Sequence, residues 1–175
     1  MMKQVYLLTG RPGCGKTSLI RQAVAGLEDS AGGFYTEEIR RQGERKGFRL
    51  VTLAGEAAVL ADVRIDSRYR VGRYGVDIDA LERVGVAALK QAIRDCSLVV
   101  VDEIGKMELF SSSFKQAVLE AIDSGKRIMG TIMFSPNKWA DAIKRRPEVF
   151  VAPVTGANRQ QVLDGLKHWL EGDNG

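Results

Sequence analysis

The sequence predicts an α/β fold in which helices cover both faces of a mainly parallel central sheet, giving three layers, with an added antiparallel hairpin. Segments with a strand pattern alternate with segments of helical periodicity along most of the 175 residues, as expected for parallel strands with helical crossovers. Residues 5–8 are an apolar run that leads into a glycine-rich turn and a helix-like segment. Residues 98–101 are a second apolar run that ends at two acids, which is typical of a buried parallel strand.

The glycine-rich turn has the spacing of a phosphate-binding loop. Gly10, Gly15, Lys16 and Thr17 match G-x-x-x-x-G-K-[ST], in which glycines let successive backbone N–H groups curl around a phosphate. The helix that follows adds its positive N-terminal end. We predict that Lys16 reaches the β- and γ-phosphates as a catalytic residue and that Thr17 ligates Mg²⁺. The predicted nucleotide contacts in this loop are Gly10, Arg11, Pro12, Gly13, Cys14, Gly15, Lys16, Thr17 and Ser18.

Length and composition indicate one domain over residues 1–175, because a chain with 45% hydrophobic residues can bury a full core. No run approaches the roughly 18 apolar residues of a membrane span, and we see no signal-peptide pattern, so we expect a cytoplasmic protein with no membrane partner. The net charge of +4 suits an anionic ligand but is too small to indicate nucleic acid. Cys14 and Cys96 are expected to be free thiols, and the lone His168 a surface residue.

A β-hairpin is predicted after the first helix, which should end within residues 28–33. Residues 34–39 and 48–53 have strand patterns, and the basic segment 40–47 between them contains the glycines of a turn. These charges suit a solvated turn. The alternative is that Arg40 points toward a bound phosphate.

Residues 55–75 show only weak periodicity. A short Ala-rich piece precedes residues 64–75, which contain four arginines and two tyrosines. This stretch is either a solvent-facing connection or an arginine-rich cover over the nucleotide or a second substrate. Helical periodicity resumes after residues 77–79, Asp77-Ile78-Asp79, which are predicted as the acidic N-cap region of a helix. Further helices are predicted at residues 113–124, 137–145 and 160–170, and further strands at 127–134 and 149–154.

The two acids after the second apolar run complete the predicted site. In a fold with a phosphate loop, an aspartate at the end of a buried strand supports Mg²⁺, so Asp102 is the second predicted metal residue beside Thr17. Glu103 is predicted to orient a water for attack on the γ-phosphorus and to accept its proton. The alternatives are an ordinary strand-end cap for Asp102 and, for Glu103, a carboxylate that holds Lys106 or an arginine.

Motifs along essentially the whole chain resemble one family of phosphate-loop proteins. They are Gly10-Arg11-Pro12-Gly13-Cys14-Gly15-Lys16-Thr17, Gly33-Phe34-Tyr35-Thr36-Glu37-Glu38-Ile39-Arg40, Gly47-Phe48, Val71-Gly72-Arg73-Tyr74, Asp102-Glu103-Ile104-Gly105-Lys106-Met107-Glu108-Leu109-Phe110 and Asn158-Arg159. The second and fifth motifs are far more specific than the phosphate loop alone. The sequence is similar to the thermophile-type, cancer-related nucleoside-triphosphatase family.

This resemblance implies a slow, Mg²⁺-dependent enzyme that hydrolyses ATP, GTP, CTP and UTP to diphosphates and phosphate on an open α/β fold with added antiparallel strands. It also implies further nucleotide contacts from Val101, Asp102, Glu103, Lys106, Asn158 and Arg159. Lys106 would neutralise charge in the transition state as a catalytic residue, the alternative being a surface salt bridge. Asn158 and Arg159 would contact the base or ribose, the alternative for Asn158 being a helix cap.

Two other functions fit parts of the sequence. A phosphotransferase acting on a nucleoside, a nucleotide or an RNA end would use the same loop, with the arginines of residues 64–73 as an acceptor clamp. A nucleotide-operated switch would use residues 102–105 as D-x-x-G, but Ala140 stands where the guanine-reading motif N-K-x-D, which begins here at Asn137, needs a carboxylate. We therefore predict a hydrolase with broad base choice, which acts on nucleoside triphosphates as a monomer and does not require nucleic acid.

Overall fold

A computed structural model describes residues 3–172, which form one nine-stranded mixed sheet with flanking helices. The strands are β1 (Val5–Thr9), β2 (Ala31–Arg41), β3 (Glu44–Thr52), β4 (Ala57–Asp62), β5 (Arg70–Val71), β6 (Tyr74–Val76), β7 (Leu98–Ile104), β8 (Arg127–Ile132) and β9 (Val149–Pro153). The helices are α1 (Lys16–Val24), α2 (Ile78–Ala80), α3 (Ala87–Asp95), α4 (Ser112–Asp123), α5 (Lys138–Lys144) and α6 (Arg159–Glu171). A π-helical segment (Leu81–Val86) joins α2 to α3, and a 3-10 turn (Glu108–Phe110) follows β7. The outermost residues of the predicted domain, 1–2 and 173–175, lie outside the described part.

Half of the sheet is parallel, and the predicted α/β architecture is confirmed. The strand order is β5-β6-β4-β3-β2-β7-β8-β1-β9, and the four pairings from β2 to β9 are parallel. The carboxyl ends of these strands share one edge of the sheet, where ligands of open α/β folds bind. The loops after β1 and β7 both leave from this edge.

The other half is antiparallel and is larger than predicted. β2 and β3 form the expected hairpin, but its turn lies at Gln42 and Gly43, so Arg45 and Lys46 belong to β3 instead of a basic tip. β3 continues to β4, β6 and β5 through antiparallel pairs. Residues 55–75 therefore contribute strands that the sequence pattern missed. β5 and β6 have only two and three residues, and β4 is rich in alanine, which has low strand propensity, so these strands take their conformation from their partners more than from their own periodicity.

Helices cover both faces of the parallel half, as the three-layer prediction requires. Alternate residues of β1 enter different cores. Val5 and Leu7 belong to the cluster that includes residues of α3, α4 and α5, whereas Tyr6 and Leu8 belong to the cluster that includes residues of α1 and α6. Within residues 3–172, none of the helices has the length and apolar character needed to cross a bilayer. Cys14 and Cys96 are free and His168 is exposed, as predicted.

Helix ends follow local sequence signals. Asp77, Ser111 and Asn137 each precede a helix, and each side chain accepts a hydrogen bond from the backbone N–H three residues later. The first helix is shorter than predicted. It ends at Val24 instead of within residues 28–33, because a helix-terminating glycine follows two residues later.

Replacing Gly33 with alanine is expected to lower the free energy of unfolding by about 3 kcal/mol. Gly33 lies opposite Val100 in the β2–β7 pair, has a φ of 114°, and an added Cβ would lie 1.9 Å from the Val100 carbonyl oxygen. Urea denaturation measures the loss. Gly43→Ala is the matched control, since Gly43 also has a positive φ, of 79°, but its added Cβ would meet nothing within 4 Å. Equal losses in the two variants would show that the sheet contact is unimportant.

The contribution of Asp62 to stability is expected to disappear in acid. Arg41 donates hydrogen bonds of 2.9 and 2.8 Å to the two carboxylate oxygens of Asp62 and, as the main cause, lowers the pKa of Asp62 from 3.8 to about 2. Because the folded-state pKa is the lower one, the stabilisation is present above pH 3.8 and is lost as pH falls toward 2. Unfolding free energies of wild type and Asp62→Asn should therefore converge over that interval. A constant difference between pH 5 and pH 2 would contradict this assignment.

Candidate active site

The predicted phosphate loop joins β1 to α1 at the carboxyl edge of the sheet. Residues 10–15 form the turn, and α1 begins at Lys16. The first turn of α1 reads K-T-S-L and contains no acid, so the positive helix end is not neutralised from within the turn. Pro12, Gly13 and Ser18 line the same cleft as Lys16 and Thr17. A glycine-rich backbone and a helix end thus border one cleft, which is an arrangement that anions bind.

Lys16 is folded back onto this loop. The residue is 9% exposed, and its Nζ donates a hydrogen bond of 2.6 Å to the Gly10 carbonyl oxygen. Its positive charge acts on the carboxylates of both Asp102 and Glu103. The ammonium group therefore lies close to both the loop and the two acids of β7.

Asp102 is held at the end of β7 by three other elements. The residue is 1% exposed, and its Oδ1 accepts a hydrogen bond of 2.5 Å from the Thr131 hydroxyl of β8. Its Oδ2 accepts a longer one, 3.5 Å, from the Thr36 backbone N–H of β2, and the Thr17 hydroxyl of α1 is a further partner. Burial raises the pKa of Asp102, while these hydrogen bonds and the charge of Lys16 oppose the rise.

The oxygens of Thr17 and Asp102 make a donor pair suited to a hard divalent cation. The hydroxyl and the carboxylate are hydrogen-bonding partners beside the phosphate loop. Mg²⁺ prefers oxygen ligands, and it commonly keeps waters and substrate phosphates as its remaining ligands. The residues present therefore fit a magnesium site that nucleotide phosphates would complete.

Two glutamates follow Asp102. Glu103, joined to Asp102 by a cis peptide bond, is half-buried and lines the cleft. Burial raises the pKa of Glu103, the charge of Lys16 opposes the rise, and the charge of Asp102 adds to it. A Cβ on Gly105 would lie 2.6 Å from Glu103 Oε1, so a glycine there leaves room for the carboxylate. Glu108 is 4% exposed, and burial, together with the charges of Glu103 and Asp102, raises its pKa well above 4.5.

Lys16, Thr17, Glu103 and Glu108 border a cleft of about 1230 Å³. One side is the phosphate loop, and the exposed Lys106 also lines the cleft. The antiparallel half of the sheet supplies a second side, with Glu37, Glu38, Arg45, Phe48, Leu60, Val71 and Tyr74. The cleft therefore continues past the phosphate loop and the acids into a region whose residues were not among the predicted site residues.

Other predicted contacts lie outside this cleft. The Asn158 side chain accepts a hydrogen bond of 2.8 Å from the Thr155 N–H and donates one of 2.9 Å to the Pro153 carbonyl oxygen, so it orders the loop before α6. The Arg159 guanidinium packs against Gly15, where an added Cβ would lie 2.8 Å from it. Among residues 3–172, the predicted nucleotide contacts that do not line the cleft are Arg11, Cys14, Val101, Asp102, Asn158 and Arg159.

The stretch of residues 64–75 lines the cleft through Val71, Gly72 and Tyr74 and not through its arginines. Arg70 donates to the Arg73 carbonyl oxygen, and Arg73 donates to the carbonyl oxygen of Arg45 in β3. Within the described part of the chain, the cleft lining includes no arginine from residues 64–73. Arg40, the alternative phosphate contact, is exposed and pairs with a glutamate of its own strand at 2.8 Å.

The predicted site omitted three residues, although two of them, Thr36 and Glu108, lie within the motifs that carry the family resemblance. Thr36 and Thr131 hold Asp102, and Glu108 lines the cleft. A hydroxyl in the otherwise apolar segment 128–132 and a lone acid within the apolar segment 107–110 were the available signals. Neither signal shows that the side chain faces the site, because that depends on which strand or loop packs opposite it, and the sequence pattern does not reveal this packing.

Comparison with known proteins agrees with this geometry. The family model described as NTPase matches residues 5–166. Nucleoside-triphosphatase THEP1 of Thermotoga petrophila is 45% identical over 169 residues, which cover 97% of this chain and 94% of that protein. The human cancer-related nucleoside-triphosphatase is 41% identical over 184 residues, with 95% of each chain covered. The crystal structure of THEP1 from Aquifex aeolicus matches with a TM-score of 0.86 at 32% identity, covering 93% of this chain and 96% of that chain.

The similarity therefore extends over nearly the full length of both proteins, and the matched residues 5–166 include the phosphate loop, β7 with its two acids and the antiparallel extension. The solution structure of the human protein covers even more of the chain, 97%, with a TM-score of 0.81 at 38% identity. A family model that spans most of the chain and relatives that are more than 40% identical together show the family of this protein. The chain belongs to the NTPase family of nucleoside-triphosphatases.

Proposed function

We propose that the protein hydrolyses nucleoside 5′-triphosphates to nucleoside diphosphates and inorganic phosphate. The observation that carries this proposal is that Lys16, Thr17 and Glu103 line one cleft. The buried Asp102, next to Glu103 in β7, interacts with both Lys16 and Thr17. A loop that binds phosphates and a carboxylate able to accept a proton are the two parts that such a hydrolysis needs. The names of the relatives support the substrate class.

The phosphate loop would hold the β- and γ-phosphates, with Lys16 exchanging its hydrogen bond to a loop carbonyl for phosphate oxygens. Thr17 and Asp102 would hold Mg²⁺, which when bound supplies positive charge that stabilises the leaving diphosphate. Glu103 would accept a proton from the water whose oxygen attacks the γ-phosphorus. Lys106 would add positive charge near the transferred group.

The remaining predicted contacts belong to the same proposal. Val101 would support the acids from within β7, and Arg11 and Cys14 would complete the loop. Asn158 and Arg159 would contact the ribose or base from the side of the loop before α6. Base choice is expected to be broad, because Asn137 already uses its side chain to cap α5, accepting from the Ala140 N–H at 3.0 Å.

Phosphate release from ATP, GTP, CTP and UTP, each with Mg²⁺ and with a chelator, tests the proposal. Slow release from all four, at rates within about tenfold of one another and lost in chelator, is expected. Release from none of them would reject the hydrolase. A large preference for GTP would favour a nucleotide-operated switch.

We further propose that the protein acts as a monomer in the cytoplasm, over a single domain of residues 1–175, without nucleic acid or a membrane. Gel filtration should then give one species near 19.2 kDa. Phosphate release should be unchanged by added RNA, DNA or anionic vesicles. A dimer at assay concentration, or strong stimulation by any of these additions, would contradict this part of the proposal.

A further inference from the structure

The cleft contains a region beyond the phosphate loop to which the proposed hydrolysis assigns no group, since the base and ribose of the triphosphate are proposed to lie beside Asn158 and Arg159. We define the acceptor chamber as the part of the cleft lined by Phe48, Leu60, Val71, Tyr74, Met107 and Glu108. Four of these residues lie in strands of the antiparallel half, and the other two lie just after β7. Attack by water requires neither an apolar wall nor this much space.

The walls of the acceptor chamber are packed and not loosely exposed. Leu60 is 1% exposed, and Phe48, Tyr74 and Met107 are partly buried against the larger hydrophobic core. The rings of Phe48 and Tyr74 contact edge to face, with centroids 5.3 Å apart. Phe134, 55% exposed, adds another aromatic ring to the cleft lining. Preformed sites with apolar and aromatic walls bind flat organic rings.

One polar group in the acceptor chamber has no partner. Glu108 is 4% exposed, and within residues 3–172 its Oε2 finds no hydrogen-bond donor although it is fully buried. Buried polar atoms in folded proteins are almost always hydrogen-bonded, so an exception calls for a missing partner. Because Glu108 lines the cleft, a change of its side-chain rotamer would bring this oxygen to the hydroxyl groups of a ligand, which can supply the partner.

The charges at this end of the cleft disfavour an anionic ligand. Glu37, Glu38 and Glu108 all line it, and Arg45 is already paired with Glu38 at 3.3 Å. The arginines of residues 64–73, which would clamp a phosphate-bearing acceptor, are not in the cleft lining of the described chain. Arg21 also lines the cleft but pairs with Glu37 at 3.6 Å, and Lys106 is the cation that the proposed function assigns to the transferred phosphoryl group. A second substrate with its own phosphate would therefore face acids without a further cation in the cleft lining of residues 3–172.

We propose that the acceptor chamber binds an uncharged nucleoside and that the protein transfers a phosphoryl group to it from a nucleoside triphosphate. The aromatic walls suit the base, and the unpaired Glu108 suits the sugar hydroxyls. This inference rests on the proposed binding of nucleoside triphosphate at the phosphate loop. Hydrolysis is then the reaction that the same site performs when water takes the place of the acceptor hydroxyl.

The transfer balances without another reactant. The acceptor hydroxyl oxygen forms a bond to the γ-phosphorus, and the bond from that phosphorus to the oxygen bridging to the β-phosphate breaks, with its electron pair leaving on the diphosphate. Glu103 accepts the hydroxyl proton and returns it to solvent. The products are a nucleoside monophosphate and a nucleoside diphosphate.

Calorimetry and product analysis test the proposal on the wild-type protein. Adenosine, guanosine, cytidine and uridine are titrated with and without a non-hydrolysable ATP analogue, and radiolabelled γ-phosphate is followed from ATP into nucleoside monophosphate. At least one nucleoside should bind with a Kd below about 1 mM and become phosphorylated, and its 5′-monophosphate should bind at least about tenfold more weakly. Failure of all four to bind or to be phosphorylated overturns the proposal. Tighter binding of the monophosphates would instead show a nucleotide or RNA-end acceptor.

Matched variants locate the site. Val71→Trp fills the acceptor chamber and should weaken nucleoside binding at least about tenfold, whereas Val59→Trp, on the exposed side of β4 at 41% exposure, should bind like wild type. Glu108→Gln should also weaken nucleoside binding about tenfold while keeping the melting temperature. Equal nucleoside binding by Val71→Trp and wild type would reject the location. Absence of phosphate release from every triphosphate would reject the hydrolase. Calorimetric titration of nucleoside into the nucleotide-free protein would still measure whether the acceptor chamber binds it, so the two failures can be distinguished.

Discussion

Replacing Glu103 with glutamine is expected to lower the rate of phosphate release by about 100- to 1,000-fold, with little change in nucleotide binding. The amide keeps the size of the side chain, which is half-buried against Gly105, but it cannot accept a proton. Single-turnover release from Mg²⁺-ATP measures the chemical step. Calorimetry with a non-hydrolysable ATP analogue measures binding.

Glu103→Asp separates proton transfer from shape in this experiment. The carboxylate is retained but lies one methylene further back, so its rate should fall between those of wild type and Glu103→Gln. Phosphate release by Glu103→Gln at the wild-type rate would show that Glu103 is not the base. Loss of nucleotide binding in the same variant would show that the residue supports the site and does not perform the chemistry.

Replacing Lys16 with alanine is expected to lower kcat/KM for phosphate release by about 100- to 1,000-fold and to weaken nucleotide binding. The ammonium group is the buried cation of the phosphate loop, 2.6 Å from the Gly10 carbonyl oxygen. Its loss also removes the charge that opposes the burial-driven rise in the pKa values of Asp102 and Glu103. The variant therefore loses both a side chain that binds phosphate and a positive charge that favours the ionised forms of Asp102 and Glu103.

Lys90→Ala is the matched control for this variant, because Lys90 is exposed on α3 and does not line the cleft of the described chain. Its kcat/KM and nucleotide affinity should equal those of wild type. Tight nucleotide binding and wild-type turnover in Lys16→Ala would contradict the assignment of the phosphate loop. A loss of similar size in both variants would indicate a general charge effect.

Local patterns in the sequence were enough to predict the strands, helices and phosphate loop of the parallel half of the molecule. The loop motif at residues 10–17, the apolar run ending at Asp102 and the caps at Asp77 and Asn137 are each contained in a few neighbouring residues. Such signals reflect backbone preferences and side-chain periodicity, which act over short distances along the chain. The hairpin of β2 and β3 was predictable for the same reason.

The tertiary structure decided which groups meet. Thr131 reaches Asp102 from 29 positions away along the chain, and residues 55–75 become strands only by pairing beside β3. The burial of Glu108, and the packing of Arg159 against Gly15 instead of into the cleft, likewise depend on neighbours distant in sequence. Contacts between distant segments form only when the whole fold offsets the entropy of bringing them together. For this reason the sequence alone predicted the phosphate loop and its acids, whereas the acceptor chamber emerged only from the folded sheet.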